Sequence, residues 1–296
     1  MTYTIVAVEH ATGSVGLATA SHSINLLPKT VSVGEGGGRT VVVASQAFSS
    51  RAAGERCVAE ILSGADARAA VAGALAGDAG RELRQVAVAE SGGGVAAFTG
   101  DRCVSGAGDH VDETAGFAVA GNMLAGDAVL HAMAEAFLAS GGAELPVRLL
   151  RALAAGSAAG GDFRGDRAAG LVVRGGTAGL DLRTDEHADP VARVHRLYRL
   201  RADTAVLADC YAWYAAGCPP EPAASLLRRL EAGAARAADD DLAAWAEIVR
   251  RRGRLPGAPR AGLTPAARRL VHALAGASDP ARAGDPIWNG DDEHAR

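Results

Sequence analysis

Hydrophobic and polar residues alternate from the start of the chain, with the period of two that is typical of β-strands. Four strands are predicted before residue 46: Tyr3–Val8, Val15–Ala20, Thr30–Val33 and Arg39–Ser45. The period then changes to that of an amphipathic helix, and a glycine follows each of the two predicted helices, Ala52–Leu62 and Ala65–Leu75. A run of strands is therefore followed by a pair of helices.

The same order then returns along the chain. Strands are predicted first, at Gln85–Ala89, Val95–Thr99 and Ala115–Ala120, then the helices Asp127–Ala139 and Leu145–Ala155, then the strands Ala169–Val173 and Ala178–Arg183. Runs of strands that alternate with pairs of helices favour a layered α+β sandwich over a wound βαβ sheet. We expect two sheets face to face with helices outside them.

Beyond Asp189 only helices are predicted, at Pro190–Arg201, Thr204–Ala215, Ala223–Ala234, Leu242–Arg251 and Pro265–Leu274. We therefore expect an α+β domain over residues 1–200, an all-helical extension over 201–278 and a flexible tail over 279–296. Stripes such as Leu226, Leu227 and Leu230 predict amphipathic helices that pack on the extension itself, on the sandwich or on a second subunit. A homo-oligomer is thus one of three expected arrangements.

Composition narrows the class of partner. The chain has 296 residues, a formal net charge of -4 and 4% aromatic residues, so neither a basic stripe nor a stacking platform for nucleic acid is expected. No apolar run reaches the length of about 18 residues that a membrane span needs, and no signal peptide is visible. The sequence predicts a cytoplasmic protein that binds neither nucleic acid nor a membrane.

Cysteine spacing argues against metal and redox chemistry. Cys57, Cys103, Cys210 and Cys218 form no CxxC pair, so the expected state is buried free thiols without a zinc site. Lys29 is the one lysine among 30 basic residues. A composition rich in Arg, Ala and Gly accounts for the scarcity of lysine.

Thr2 carries the main chemical indication. Methionine before a small residue is normally removed, which would leave Thr2 with a hydroxyl and a free α-amine. That amine has a pKa of about 7.7–8.0 and can accept the hydroxyl proton near neutral pH, an arrangement used by N-terminal threonine nucleophiles. Many proteins begin with Met-Thr and make no use of it. The strand that begins directly at Thr2 favours the functional interpretation, because a strand can hold the terminus inside the fold.

Several longer strings follow one another in a specific order: TYTIVAVEHATGSVGLATASHS, then GFAVAGNMLAGDAVLHAMAEAF, then AAGGDFRGDRAAGLVV. They resemble the uncharacterised family called domain of unknown function 1028, within the superfamily of N-terminal-nucleophile (Ntn) hydrolases. The resemblance covers roughly residues 2–198. It implies a four-layer αββα sandwich, a hydrolase-like site at Thr2 and no metal or organic cofactor. It implies no particular substrate.

The resemblance also carries candidate roles to single residues. Thr2 corresponds to the nucleophile, and Asn122 in GNMLAG would donate to an oxyanion, although Gly-Asn is also common in turns. His22 would bind substrate or orient the nucleophile. Lys29 is not a residue that the family requires; it would either lower the pKa of the Thr2 amine and stabilise charge at the substrate site or lie on the surface.

Three further candidates lie in strings that the family shares. Gln46 in SQA would contact substrate, and Asp162 and Arg164 in GGDFRG would take part in catalysis and substrate binding or form an ion pair that shapes the loop. His187 and Asp189 lie in DEHADP, where the favoured interpretation is a helix cap at Asp189.

Two segments depart from the family pattern. Arg167-Ala168 stands where Gln-Ser is common, and His22–Gly38 differs beside the expected pocket. Two hypotheses follow. The first is an amidohydrolase that cleaves an amide-like bond of a small molecule through an acyl-enzyme on Thr2. The second is a catalytically silent Ntn-fold binding or scaffold protein.

Overall fold

The computed structural model describes residues 2–176 and 179–276. The chain divides into a unit that ends at Leu197 and a unit that begins at Tyr198. The tail expected over 279–296 and residue Ala178 of the last predicted strand lie outside the described residues.

The first unit contains two antiparallel sheets. Its strands are β1 (Thr2–Glu9), β2 (Ser14–Ser21), β3 (Val31–Gly36), β4 (Arg39–Ala47), β5 (Arg84–Glu90), β6 (Val95–Thr99), β7 (Gly108–Asp112), β8 (Phe117–Gly121), β9 (Ala168–Arg174) and β10 (Leu180–Thr184). One sheet has the order β10-β9-β2-β1-β8-β7 and the other the order β3-β4-β5-β6. β1 is therefore an interior strand, paired with β2 on one side and with β8 on the other.

The helices of this unit are α1 (Leu26–Thr30), α2 (Arg51–Leu62), α3 (Ala67–Leu75), α4 (Ala128–Ala139), α5 (Leu145–Ala158) and α6 (Pro190–Thr204), the last of which runs past Leu197. α2 and α3 contact the four-stranded sheet, whereas α4 and α5 contact the six-stranded sheet. The two sheets contact each other mainly through β1, β2, β7 and β8 on one side and β4, β5 and β6 on the other. The α+β class is confirmed.

Small and branched apolar residues fill the space between the sheets. Val6, Leu17, Val42, Ala87 and Ala118 belong to one buried cluster there. On each strand these residues alternate with residues that face a helix, as a period of two requires. At the end of the sandwich where β1 begins, polar residues replace the apolar ones.

Two elements differ from the sequence prediction. Thr30 was expected to begin a strand, but it ends the short helix α1, and its hydroxyl donates to the Leu26 carbonyl at 2.9 Å. Five residues that include a proline are too short to show a helical period. β7 was not predicted, because the sequence GDHVD of this edge strand is largely polar.

The second unit is helical in the part that the structure describes: beyond the end of α6 it contains α7 (Val206–Ala215), α8 (Pro220–Ala237), α9 (Asp240–Arg252) and α10 (Pro265–Ala275). The predicted stripes form its core, in which Leu226, Leu230, Leu242, Trp245 and Ile248 are all buried. Among the described residues of both units, no helix is long and apolar enough to cross a membrane.

Candidate active site

Thr2 is the first residue of β1 and lies in the interior of the six-stranded sheet. It pairs with Ser21, the last residue of β2, and its hydroxyl donates to the Ser21 Oγ at 3.3 Å. In the chain that carries Met1 it is 2% exposed. The fold therefore holds the expected nucleophile at a buried strand end, with a second hydroxyl beside it.

The backbone carbonyl of Thr2 accepts three hydrogen bonds. The Gln46 Nε2 donates at 3.2 Å, and Asn122 donates twice, from its backbone N–H at 3.2 Å and from its Nδ2 at 3.3 Å. Gln46 reaches Thr2 from the four-stranded sheet, whereas Asn122 directly follows β8 of the six-stranded sheet, to which Thr2 itself belongs. Because the donors come from both sheets, the Thr2 carbonyl is held by its own sheet and by the facing sheet.

Gln85 on β5 organises these two amides, although it belongs to none of the predicted site residues. Its Oε1 accepts from the Gln46 Nε2 at 2.7 Å and from the Asn122 Nδ2 at 2.9 Å. Its own Nε2 lies within 3.0 Å of Thr99 Oγ1 and of the carbonyls of Gly108 and Gly121. Both hydrogens of the Asn122 amide are thus bound by the protein, and so is the Gln46 Oε1, which accepts from Thr4 at 2.7 Å. No local sequence pattern distinguishes Gln85 from other strand residues.

Asp162 joins the GGDFRG loop to the end of β2. Its carboxylate accepts from the His22 backbone N–H at 3.3 Å and from the Arg164 guanidinium at 3.0 and 3.1 Å. Burial would raise the pKa of Asp162, but hydrogen bonds from Arg164 and from two backbone N–H groups outweigh burial and hold the pKa below its ordinary value. The His22 Nδ1 lies 2.9 Å from the Gly165 carbonyl in the same loop. Asp162, Arg164 and His22 are therefore brought together beside Ser21.

Asp166, which is not among the predicted site residues, anchors the other end of this loop. Its Oδ2 accepts from the Tyr3 hydroxyl at 2.5 Å and from the Ser157 hydroxyl at 3.3 Å. Burial raises the pKa of Asp166 above its ordinary value, and these hydrogen bonds offset only part of that effect. The residue next to Thr2 is therefore tied to the loop that carries Asp162.

Comparison with family models matches residues 2–194 to the family of unknown function DUF1028. The chain belongs to this family. It is similar to the crystal structure of protein SPO2555 from Silicibacter pomeroyi, which is described as a DUF1028 protein: the two are 31% identical, the match covers 68% of this chain and 88% of the other, and the TM-score is 0.60. Curated proteins give no match.

Lys29 contacts the segment between β2 and α1 in this DUF1028 chain. It is exposed on α1, and its Nζ donates to the Ile24 carbonyl at 2.8 Å and lies 3.5 Å from the Ser23 hydroxyl. These contacts brace the segment that follows β2. Arg167, at one of the two departures from the family pattern, forms an ion pair with Glu186 near the surface. Its backbone N–H donates to the Ser21 carbonyl at 2.8 Å.

The segment 22–38, which departs from the DUF1028 pattern, lines a cleft of about 420 Å³. Leu27 and Val31 form an apolar wall of this cleft, and Arg51, Arg174 and Arg183 also line it. Thr2 is not one of them, so this cleft is separate from the cluster at the start of β1.

Other predicted features have simpler outcomes. The Asp189 carboxylate accepts from the Ala192 N–H at 3.0 Å, which confirms the predicted helix cap. All four cysteines are free; Cys57 and Cys210 are buried, whereas Cys103 and Cys218 are only partly so, which corrects the expectation of four buried thiols. In the described ranges, no group of three or more His, Cys, Asp and Glu residues has a geometry that could hold a metal ion.

Proposed function

We propose that this DUF1028 protein is an Ntn-type amidohydrolase whose nucleophile is Thr2, acting on an amide-like bond of a small molecule. We also propose that its fold is the four-layer αββα sandwich of Ntn hydrolases. The observation that carries it is the fixation of Thr2 at a buried strand end, with its carbonyl held by Gln46 and Asn122. A nucleophile must be held in one geometry to gain from proximity to its base.

The chemistry requires cleavage of the peptide bond before Thr2. The freed α-amine then accepts the proton of the Thr2 hydroxyl as Oγ attacks the carbonyl carbon of the substrate. The tetrahedral oxyanion collapses, the C–N bond breaks and the leaving amine takes the proton from the Thr2 ammonium. Water next gives a proton to the α-amine and attacks the ester, and Thr2 Oγ recovers its proton as the acid departs.

The surrounding amides have different parts in this proposal. Gln46 and Gln85 are positioning residues, because the oxygen and the nitrogen of each side-chain amide are already hydrogen-bonded within the protein. Asn122 positions Thr2 as well, and it becomes an oxyanion donor if its 3.3 Å bond to the Thr2 carbonyl is exchanged for one to the substrate. In other enzymes, losing such a donor raises the activation barrier by about 3 kcal/mol.

The loop residues supply the polar edge of the site. Asp162 holds Arg164 and the His22 backbone, so we assign it to positioning. Arg164, whose side chain is 35% exposed, is available to a polar group of the substrate. His22 and Lys29 are proposed as further substrate contacts, at the end of β2 and on α1.

Intact mass and N-terminal sequencing of the purified native protein test the first requirement. Retention of Met1 in the whole population contradicts the proposal. A β-lactone should then form one adduct on the processed protein, mapped by peptide mass to residue 2 and absent from Thr2→Ala. Thr2→Ser should keep labelling, and Thr12→Ala, which changes an exposed threonine near the opposite end of β1, should label normally.

A silent Ntn-fold binding protein is the second candidate. It is favoured by the Asn122 amide, both of whose hydrogens are already bound within the protein. Processed protein that forms no adduct with a broad panel of electrophiles would support this candidate over the hydrolase.

A further inference from the structure

Exposed apolar side chains are concentrated at one end of the first unit. Among its described residues five large apolar side chains are exposed, and four of them lie in loops at the end where β1 begins: Ile24 (43% exposed), Phe48 (54%), Val104 (37%) and Phe163 (59%). These four side chains form the apolar rim. The fifth, Leu138, lies near the end of α4 and is 49% exposed.

Strand topology explains why the apolar rim surrounds Thr2. Ile24 follows Ser21, the partner of Thr2 in the ladder, by three residues. Phe48 follows the last residue of β4, the strand whose Gln46 bonds to the Thr2 carbonyl. Neighbouring strands lie about 4.8 Å apart and facing sheets about 10 Å apart. Both side chains therefore start within a few strand spacings of Thr2.

Hydrogen bonds join the rim loops to one another. The loop of Phe163 is bound to the loop of Ile24 through the contact of His22 Nδ1 with the Gly165 carbonyl. The Arg51 guanidinium, just beyond Phe48, donates to the Pro28 carbonyl of α1 at 2.8 Å. The ring of loops is thus continuous from Phe48 through Ile24 to Phe163.

Hydrogen bonds also link the loop of Phe163 to the loop of Val104. The Phe163 backbone N–H donates to the Met123 carbonyl at 3.2 Å, directly after Asn122. The Leu124 N–H in turn donates to the Gly106 carbonyl at 3.0 Å, in the loop that carries Val104. Hydrogen bonds therefore link four loops, which come from both sheets, along the edge at which Thr2 lies.

Exposed apolar side chains that gather around one site mark an interaction surface, whereas single scattered ones are ordinary. Here four of them lie in loops around the buried strand ends of Thr2 and Ser21, a pattern that fits a ligand with an apolar group next to a polar carbonyl. We propose that the apolar rim forms part of the substrate site and that the substrate carries an apolar group of several carbons beside its scissile carbonyl. This inference rests on the proposed hydrolase function.

The first test measures the labelling rate of processed protein with β-lactones that carry straight side chains of two, six or ten carbons. Each lactone is used below its aggregation concentration. Burying a few methylenes in the apolar rim should make the six-carbon lactone about tenfold faster than the two-carbon one. Phe163→Ala and Phe48→Ala should each remove about threefold of this preference, whereas the matched exposed-site variant Leu138→Ala should keep it. Equal rates along the series would overturn the inference and leave the hydrolase proposal standing.

The second test needs no reactive nucleophile. Binding of hexanoamide and acetamide to Thr2→Ala is followed by ligand-observed NMR, with Phe163→Ala in the same background. Binding of hexanoamide that is tighter than that of acetamide, and that weakens with Phe163→Ala, supports the apolar rim. It does so even when no lactone reacts, because the absence of labelling contradicts only the hydrolase proposal. Equal binding of the two amides overturns the inference. So does self-association of the chain that Phe163→Ala abolishes without any chain-length preference, because the rim is then a protein interface.

Discussion

The Tyr3 hydroxyl donates to the Asp166 carboxylate at 2.5 Å, across 163 positions of sequence. Tyr3 is fully buried next to Thr2, and Asp166 ends the loop that carries Asp162 and Phe163. A single contact thus couples the strand of the proposed nucleophile to the loop that forms part of its surroundings. Because the Asp166 carboxylate is part of this contact, its protonation state affects the stability of the fold.

Asp166→Asn should change how stability depends on pH. Because burial raises the pKa of Asp166 above its ordinary value of 3.8, the folded chain keeps a proton that the unfolded chain has lost. Stability therefore decreases as pH rises from 3.8 through the raised folded value. Asp166→Asn should lack this decrease, as measured by urea unfolding at closely spaced pH values.

Asp162→Asn supplies the opposite sign in the same loop. Because the folded pKa of Asp162 is lowered, its contribution is present above the ordinary value of 3.8 and is lost as pH falls through the folded value. This variant should therefore lose stability relative to the parent chain mainly above pH 3.8. An identical pH profile for Asp162→Asn and Asp166→Asn would contradict both assignments.

The elements of the first unit were largely predictable because their signals are local. A period of two located β1 and β2 to within a residue or two, and the Asp189-Pro190 pair located the start of α6. Thr2 was selected as a candidate through its position before a strand, together with the order of the elements and the family resemblance, and its role stays a prediction. Local patterns are sufficient where neighbouring residues decide the conformation.

The connections between site residues were not predictable, because they join residues far apart in sequence. Gln85 meets Asn122 across 37 positions and Gln46 across 39, and nothing in the sequence around Gln85 indicates either contact. Asp166 is a similar case, since its partner Tyr3 lies at the other end of the unit. Lys29 shows the converse: it is the one lysine of the chain and a predicted site residue, yet its contacts are with the nearby Ile24 and Ser23.

Gln85→Leu should destabilise the first unit and slow Thr2 labelling. Gln85 is fully buried, and its loss leaves the carbonyls of Gly108 and Gly121 without a donor that they now share. Unsatisfied buried groups of this kind predict a loss of about 3 kcal/mol in the free energy of unfolding. Thr99→Val, which removes one hydroxyl contact of Gln85, should cost about 1 kcal/mol. Equal losses in the two variants, measured by urea unfolding with circular dichroism, would disprove the central role of Gln85.

Gly156→Ala and Gly73→Ala should have opposite effects, although both glycines lie inside helices. A Cβ at Gly156 on α5 would lie 2.6 Å from the Met133 Cγ and 3.3 Å from the Tyr3 ring, in a fully buried region. Overpacking there should cost about 2 kcal/mol of unfolding free energy.

At Gly73 on α3 the nearest atoms would be 3.4 Å away, on the flexible Glu60 side chain. Replacing a helical glycine by alanine without a clash should stabilise the chain by about 0.8 kcal/mol. Thermal unfolding of both variants checks the pair. Stabilisation by Gly156→Ala would mean that Met133 moves aside without cost.

Glu247→Ala should destabilise the second unit. The Glu247 side chain is 2% exposed, and its Oε1 lies 2.5 Å from the Arg250 guanidinium and 2.6 Å from that of Arg251. Its removal leaves the Arg250 side chain, 15% exposed, without its carboxylate. Breaking a largely buried ion pair from one side predicts a loss of about 3 kcal/mol. Glu231→Ala, at an exposed glutamate of the same unit, should change stability by less than about 0.5 kcal/mol.

The same substitution should also alter the acid side of the stability profile. Burial would raise the pKa of Glu247, but hydrogen bonds from Arg250 and Arg251 outweigh it and hold the pKa below its ordinary value of 4.5. Its contribution is therefore present above pH 4.5 and is lost as pH falls through the folded value, so Glu247→Ala should differ least from the parent chain in acid. Tryptophan fluorescence follows this unit selectively, because all three tryptophans come after residue 198. Unfolding curves of Glu247→Ala and Glu231→Ala that coincide at neutral pH would exclude a stabilising role for this ion pair.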